Sequence, residues 1–167
     1  MNLKEIASLE KEFQIAVLRR NIEHGNDLIE SDKATFKEKI NLIKARNQQE
    51  NNIAQLQAEI EIEKAEKTEK EKIKAINKAI SEGAIMTGVN PEVQKVDLAK
   101  ERADRIKIIE EKMFKDIVVN NRKGQKDILG VVEEYNELYV KAVKNKYNLE
   151  IIAANEAYEL TKKNRRR

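Results

Sequence analysis

The sequence contains no cysteine and no tryptophan, and it has a single proline and only 4% aromatic residues in 167 positions. The absence of cysteine excludes disulfide bonds, thiolate metal ligands and cysteine nucleophiles. No apolar run approaches the roughly 20 residues needed to span a bilayer, so we expect no membrane partner. The first residues also carry several glutamates, which is not typical of a secretory signal.

Charged residues make up 38% of the chain, well above the average of about 25%. Such a composition, with little proline and few aromatic residues, is typical of long helices and coiled coils. Disorder is the competing interpretation of a polar, charged chain. We reject it because isoleucine, leucine and valine recur at helical spacing along the chain. The sequence therefore predicts an all-α protein.

A long, highly charged stretch from Asp32 to Glu82 contains neither glycine nor proline. We interpret it as one long helix in three parts. Phe36–Ile43 and Ile73–Ile80 carry apolar residues at helical spacing, and both are predicted to pack. Lys44–Lys72 holds few large apolar residues, so we expect it to be a mostly solvated spacer between the two packing regions.

Residues 3–24 are predicted to form an amphipathic helix whose apolar stripe steps by three and four residues. The stripe consists of Leu3, Ile6, Leu9, Phe13 and Val17. Gly25 is a candidate end of this helix, with Ser31 or Asp32 as the cap of the next. An isoleucine-rich heptad that keeps its phase across Gly25 favours the alternative of one continuous helix from about residue 3 to 82.

The residues after Glu82 predict a turn, followed by helical segments that run back in the opposite direction. Gly83–Asn90 reads as a loop, and Asn90-Pro91-Glu92 is a strong helix start, with Asn as the cap and Pro in the first helical position. Helices are predicted at about 91–121 and 126–160. The fold expected is an elongated long-helix hairpin, a coiled-coil-like bundle of three to four helices forming a single domain over residues 1–161.

The helix at 126–160 is predicted to be the most apolar, and it holds all four tyrosines of the chain. A face this wide should contact more than one helix, or another chain. Tyrosines spaced among aliphatic residues are more typical of packing than of base stacking. The predicted partner interface comprises Tyr135, Tyr139, Tyr147, Ile151 and Tyr158, together with Ile85 and Met86 of the loop.

The chain ends in a basic tail, residues 162–167. Its positive charges, on Lys162, Lys163, Arg165, Arg166 and Arg167, outnumber the net charge of +3 of the whole chain, so residues 1–161 are slightly acidic. Basic residues at a helix C-terminus complement the helix dipole. Clustered Arg and Lys also neutralise phosphates, so weak, salt-dependent nucleic-acid binding is the alternative.

No pattern of catalytic, cofactor-binding or metal-binding residues emerges. His24 is the only histidine and has no ligand spacing around it, so we interpret it as a surface or packing residue. Gly83 and Gly88 have the spacing of a phosphate-binding loop, but Val89 and Asn90 stand where Lys and Ser/Thr are required. We expect neither an enzyme nor a small-molecule substrate, and no cofactor.

These features favour a structural or assembly protein, an oligomeric helical subunit of a larger particle. A viral or phage virion component is one such setting, by analogy with particles built from small charged helical subunits. The expected partners are further copies of the chain or other subunits. The alternative function is a nucleic-acid-associated protein that uses the basic tail. The expected location is intracellular and cytoplasmic, or inside a virion.

Overall fold

The computed structural model describes residues 3–31, 33–82 and 90–165, and over these ranges the chain forms three α-helices and no strand. Helix α1 is Leu3–Glu30, α2 is Phe36–Ser81 and α3 is Pro91–Arg165. The predicted all-helical class is confirmed. Helix α3 has 75 residues, which gives it a length of about 110 Å at a rise of 1.5 Å per residue.

The break between α1 and α2 exists, but it lies further along the chain than Gly25. Helix α1 continues through Gly25 to Glu30, because a glycine inside a helix costs only about 1 kcal/mol. Thr35, rather than Ser31, caps α2: its hydroxyl accepts a hydrogen bond from the Glu38 amide, while the Glu38 carboxylate accepts one from the Thr35 amide. Hydrogen bonds from Thr35 to the Glu38 carboxylate lower the pKa of Glu38, since they stabilise its ionised form.

Helix α3 begins as the sequence indicates. The side-chain oxygen of Asn90 accepts a hydrogen bond from the Glu92 amide at 2.9 Å, and Pro91 occupies the first helical position. Helix α2 ends at Ser81. The predicted loop at Gly83–Asn90 lies, apart from Asn90, outside the described residues.

Helix α3 is a single element where the sequence pattern predicted two helices, 91–121 and 126–160. The interval between the two predicted helices is itself helical, and the side-chain oxygen of Asn121 accepts hydrogen bonds from Asn47 of α2 at 3.1 Å and Asn51 at 2.9 Å. Gly124 is buried against Asn47, and a Cβ atom placed on it would lie 3.1 Å from the Asn47 side chain. The glycine therefore permits close approach of α2 and α3 rather than ending the helix.

Helices α2 and α3 pack side by side in opposite directions. Ion pairs mark the register, because the residue number rises along α3 as it falls along α2. They join Lys72 to Glu101, Glu69 to Arg102, Glu61 to Lys112 and Glu50 to Lys123, at distances of 2.9–3.6 Å. At the far end, the rings of Phe36 and Tyr135 lie 4.6 Å apart.

Helix α1 packs antiparallel on another side of α2. The ammonium group of Lys11 lies 2.6 Å from Glu63 and 2.9 Å from Glu59. The hydrogen bonds to Glu63 and then Glu59 raise the pKa of Lys11 above its ordinary value of 10.5, so the Lys11 ammonium group keeps its charge until the solution is strongly alkaline. Over the described residues α1 and α3 do not pack on each other, and α2 lies between them.

The middle of α2 is the most buried part of the protein, which corrects the prediction of a solvated spacer at Lys44–Lys72. Its buried residues are small or charged as well as aliphatic: Ala54, Ala58, Ile60, Ala65 and Glu69. Alanine gives little signal in a pattern of large apolar residues. It nevertheless lets two neighbouring helices approach α2 closely, and that approach buries the alanines themselves.

The packing face of α1 also differs from the predicted stripe. Phe13 is 70% exposed and Leu9 is 51% exposed, with Ile6 and Val17 also on the surface. The buried residue is instead Ile15, at 7% exposure. Ile15, Ile22 and Ile29 belong to the heptad that the sequence showed, and that heptad faces α2. Two apolar stripes thus compete on this helix, and the one with larger residues is left uncovered.

The two glycines of α3, Gly124 and Gly130, should respond oppositely to alanine. A Cβ atom at Gly130 meets nothing within 4 Å, so Gly130→Ala should raise the free energy of unfolding by about 0.5–1 kcal/mol through reduced unfolded-state entropy. Gly124→Ala should lower it by about 1 kcal/mol, because Asn47 must move and lose its bond to Asn121. Urea unfolding followed by circular dichroism measures both, and equal effects would contradict close packing at Gly124.

Candidate interaction surface

The last part of α3 extends beyond the rest of the protein. Tyr135 stacks on Phe36, the first residue of α2, so α2 offers no neighbour to the residues that follow. We call residues 137–165 the free end of α3. It is about 40 Å long at 1.5 Å per residue, and every described side chain in it is exposed except the half-buried Val143.

The free end is rich in large apolar residues that no other described part of the chain covers. Nine of them are 48–67% exposed: Leu138, Tyr139, Val140, Tyr147, Leu149, Ile151, Ile152, Tyr158 and Leu160. Isolated surface hydrophobics need no explanation, but contiguous patches above a few hundred Å² mark interaction sites. The free end is therefore a candidate interaction surface.

The structure places the predicted interface residues in two groups. Tyr135 packs within the chain against Phe36 and remains 49% exposed. Tyr139, Tyr147, Ile151 and Tyr158 all lie exposed along the free end. The remaining two residues of the prediction, Ile85 and Met86, lie outside the described residues.

A second exposed apolar surface lies between α1 and α2 and was not predicted. It is a shallow, open groove lined on the α1 side by Phe13, Val17 and Leu18, with Leu56 among the residues of the α2 side. The exposed stripe of α1 forms one wall of this groove. The signal was present in the sequence as that stripe, but the sequence could not show that the isoleucine heptad would take the place against α2.

Arg46 holds all three helices together and was also missed by sequence reasoning. Its guanidinium donates hydrogen bonds to Asn26 of α1, at 3.2 Å, and to Asp127 of α3. The Arg46 side chain is only 10% exposed, and that of Asp127 is 35% exposed. A planar guanidinium with several donors can reach two partners at once. One arginine among many charged residues carries no sequence signal for this role.

Asparagines form a polar cluster one turn along from Arg46. We call Asn47, Asn51, Asn120 and Asn121 the asparagine cluster; besides the two bonds to Asn121, Asn120 donates to Asn51 at 3.3 Å. Asn47, Asn51 and Asn120 are half-buried and Asn121 is exposed, and a slip of α3 along α2 would separate them from these partners. The cluster and the Arg46 contacts therefore define how α3 sits along α2.

The first four residues of the basic tail, 162–165, form the last turn of the free end. Lys162 is exposed and lies 3.8 Å from Glu159. Helix α3 continues to Arg165, but the side chains of Lys163 and Arg165 lie outside the described part of the chain, as do Arg166 and Arg167. Over the described residues no group of His, Asp or Glu side chains is placed to hold a metal ion. No helix found there has an apolar stretch long enough to cross a membrane.

The comparisons with known proteins do not connect this geometry to any precedent. No protein family, curated protein or solved structure matched the chain.

Replacing Arg46 should destabilise the three-helix arrangement. Arg46→Met removes hydrogen bonds to two helices and should lower the free energy of unfolding by about 2 kcal/mol, the typical value for bonds that involve charged groups. The matched control is Arg19→Met on the exposed surface of α1, which should change it by less than about 0.5 kcal/mol. Urea unfolding of both variants tests this, and similar losses would show that Arg46 is not a structural link.

Proposed function

We propose that the protein is a structural, assembly-type subunit, an elongated coiled-coil-like helical bundle that works as an oligomer or within a larger particle. The observation that carries this proposal is the imbalance between buried and exposed apolar residues. Six hydrophobic residues are buried among those described, whereas 23 large hydrophobic residues are exposed. A chain that leaves so much apolar surface in water is expected to cover part of it with a partner.

The shape of the chain supports the same proposal. Each helix contacts its neighbour along a single line, and α3 extends past that contact by about 40 Å. Over the residues that the structure describes, a rod of this kind has no enclosed space in which to desolvate a substrate. It can, however, connect two packing regions that lie far apart. A viral or phage particle, built from many copies of a small helical subunit, is one setting that would use such reach.

Light scattering coupled to size exclusion tests the proposal directly. The purified chain should elute with a mass that is a multiple of one chain and with a hydrodynamic radius well above that of a globular protein of equal mass. A radius typical of a compact globule, together with the mass of one chain, would rule out an elongated oligomeric subunit.

The alternative function, nucleic-acid binding by the basic tail, is supported by one observation. Lys162, the first residue of the basic tail, lies near the end of a helix that projects away from α1 and α2. A cluster of cations at such a tip could reach a phosphate backbone without obstruction from the body. Binding through so few charges would be weak and independent of base sequence.

The alternative is tested by measuring DNA binding at several salt concentrations, for the full chain and for a chain stopped after Thr161. If the tail binds phosphates, the full chain should bind at low salt, with an affinity that falls steeply as salt rises, and the shortened chain should not. Equal binding by both chains, or none by either, would exclude the tail as a nucleic-acid site.

A further inference from the structure

The turn between α1 and α2 contains no residue that forces the chain out of a helix. Residues 31–35 read Ser-Asp-Lys-Ala-Thr, with neither glycine nor proline. The seven-residue repeat of α1, whose last member is Ile29, continues in phase across this turn to Phe36 and Ile43 of α2. A repeat that keeps its phase is a property of one continuous helix. The sequence is therefore compatible with a helix through residues 31–35 as well as with the turn.

The turn depends mainly on the capping box of α2. The Thr35 hydroxyl accepts a hydrogen bond from the Glu38 amide at 3.3 Å, and the Thr35 amide donates one to the Glu38 carboxylate at 2.7 Å. The backbone hydrogen bonds of the turn itself are long, 3.3 Å from the Ser31 amide to Leu28 and 3.5 Å from the Ala34 amide to Ser31. A cap is a local contact of modest strength, so packing elsewhere can offset its loss.

Helix α1 packs on α2 through a side that is only partly buried. Of the apolar residues on that side, Ile15 is buried, whereas Leu18, Ile22 and Ile29 are half-buried. The larger stripe of α1 remains in water, with Phe13 70% exposed. Departure of α1 from α2 would therefore expose a limited apolar area, which a second neighbour could cover again.

In a straightened helix, the same side of α1 would face α3. Phe36 lies on the side of α2 that faces α3, with its ring centre 4.6 Å from that of Tyr135. A helix turns by about 100° per residue, so the positions seven and fourteen residues before Phe36 are rotated by only about 20° and 40°, and the position eighteen before it is not rotated. These positions are Ile29, Ile22 and Leu18. They would continue the α3-facing side of α2 past its present start.

The register of the α2–α3 pair predicts what these positions would meet. The rings of Phe36 and Tyr135 are neighbours. Eleven residues later in α2 and eleven residues earlier in α3, Asn47 lies against Gly124. The two helices thus advance by equal steps in opposite directions. The same steps can be continued past Phe36 and Tyr135, into α1 and into the free end.

The facing residues of the free end are apolar and exposed. Seven, fourteen and eighteen residues after Tyr135 stand Ala142, Leu149 and Ala153, and all three are exposed in this structure. Two of the three resulting layers join a large residue to an alanine, a combination that lets helices approach closely. The layers are Ile29 with Ala142, Ile22 with Leu149, and Leu18 with Ala153. The seam ends there, because one more repeat sets Ile15 opposite Glu156.

We propose that α1 alternates between two positions: folded back on α2, as in this structure, and straightened into one helix with α2 that packs on the free end of α3. The same side of α1 serves both positions, so they exclude each other. Chain connectivity sets the direction, because a straightened α1 can only run antiparallel to α3. The lengths also agree, since α1 has 28 residues and the free end, residues 137–165, is one residue longer.

The inference concerns a single chain and goes beyond the proposed assembly. Tyr147 and Tyr158 lie about 120–140° around α3 from Tyr135, so a straightened α1 would leave them available to another subunit. Straightening would convert the single-helix free end into a two-helix rod and uncover the side of α2 on which α1 now lies. The protein would thus exchange one exposed surface for another.

Distances between two spin labels test the proposal, since the natural chain has no cysteine and labels can be attached to introduced ones. The first pair is Arg20→Cys with Gln48→Cys, at exposed positions. With α1 folded back these positions lie within about 25 Å, because Asn26 faces Arg46 and packed helices are about 10 Å apart. With α1 straightened they lie about 42 Å apart.

The second pair, Arg20→Cys with Asn155→Cys, should change in the opposite sense. Asn155 is exposed on the free end. The two labels lie about 50 Å apart when α1 is folded back and within about 25 Å when it is straightened. An excess of unlabelled chain restricts the measurement to labels within one chain. Both pairs should show two populations in the full-length chain.

Substitutions in the turn should shift these populations. Thr35→Ala removes the cap and should raise the ratio of straightened to folded-back chains about fivefold. The matched control is Thr68→Ala, whose hydroxyl donates to the Lys64 carbonyl within α2 at 2.9 Å, and it should leave the ratio unchanged. Lys33→Pro blocks a continuous helix and should remove the straightened population.

The two label pairs together decide the outcome. A longer first distance with a shorter second distance, both abolished by Lys33→Pro, supports the proposal. If the Thr35→Ala chain shows only folded-back distances, or if the first distance lengthens while the second stays long, the proposal is overturned. Neither result bears on the mass and hydrodynamic radius by which the proposed function is tested.

Discussion

The arrangement of the described residues depends on α2 lying between two helices that do not pack on each other. Because α1 and α3 are both held only through α2, the stability of each contact depends on the surface that α2 presents to it. That surface is lined by Ala54, Ala58 and Ala65 and by only two large apolar side chains that are fully buried, Ile43 and Ile60. Small residues gain little from the hydrophobic effect individually, but they bring the helices close enough for Arg46 and the asparagine cluster to make their contacts.

Polar contacts consequently define the geometry, while apolar contacts are few. A helix pair built from alanine and isoleucine alone could slide by a turn with little change in buried area. The Arg46 hydrogen bonds to Asn26 and Asp127, and the bonds around Asn121, are lost on any such slip. The Arg46 side chain is largely buried, so losing its partners would be costly, whereas the alanine contacts differ little between one register and the next. This balance explains how a highly charged chain with a minimal core can still have one arrangement.

The parts of the fold that could be predicted were those with strong local signals. Asn90-Pro91-Glu92 identified the start of α3 because a cap is decided by neighbouring residues. The burial of Ala54, Ala58 and Ala65 could not be predicted from the sequence. It depends on α1 and α3, which lie elsewhere in the sequence and pack against α2 at these positions. The predicted break between residues 121 and 126 was wrong for the same reason, since only the position of Asn47 shows that Gly124, within that interval, permits close packing. The tyrosines of the free end were identified from the sequence, but only the start of α2 shows that no other described part of the chain covers them.

The same imbalance connects the fold to the proposed assembly. A helix standing alone in water is marginally stable, because most helical stability in proteins comes from packing of an apolar face. The free end of α3 has such a face but no neighbour in the described part of its own chain, so covering it with a partner subunit would stabilise the helix and bury its tyrosines in one step. Folding of this segment and association are then thermodynamically linked, and the helicity of residues 137–165 would rise with protein concentration. The rest of the described structure, in which α1 and the first part of α3 pack on α2, would keep its helicity under dilution because none of its contacts requires a second chain.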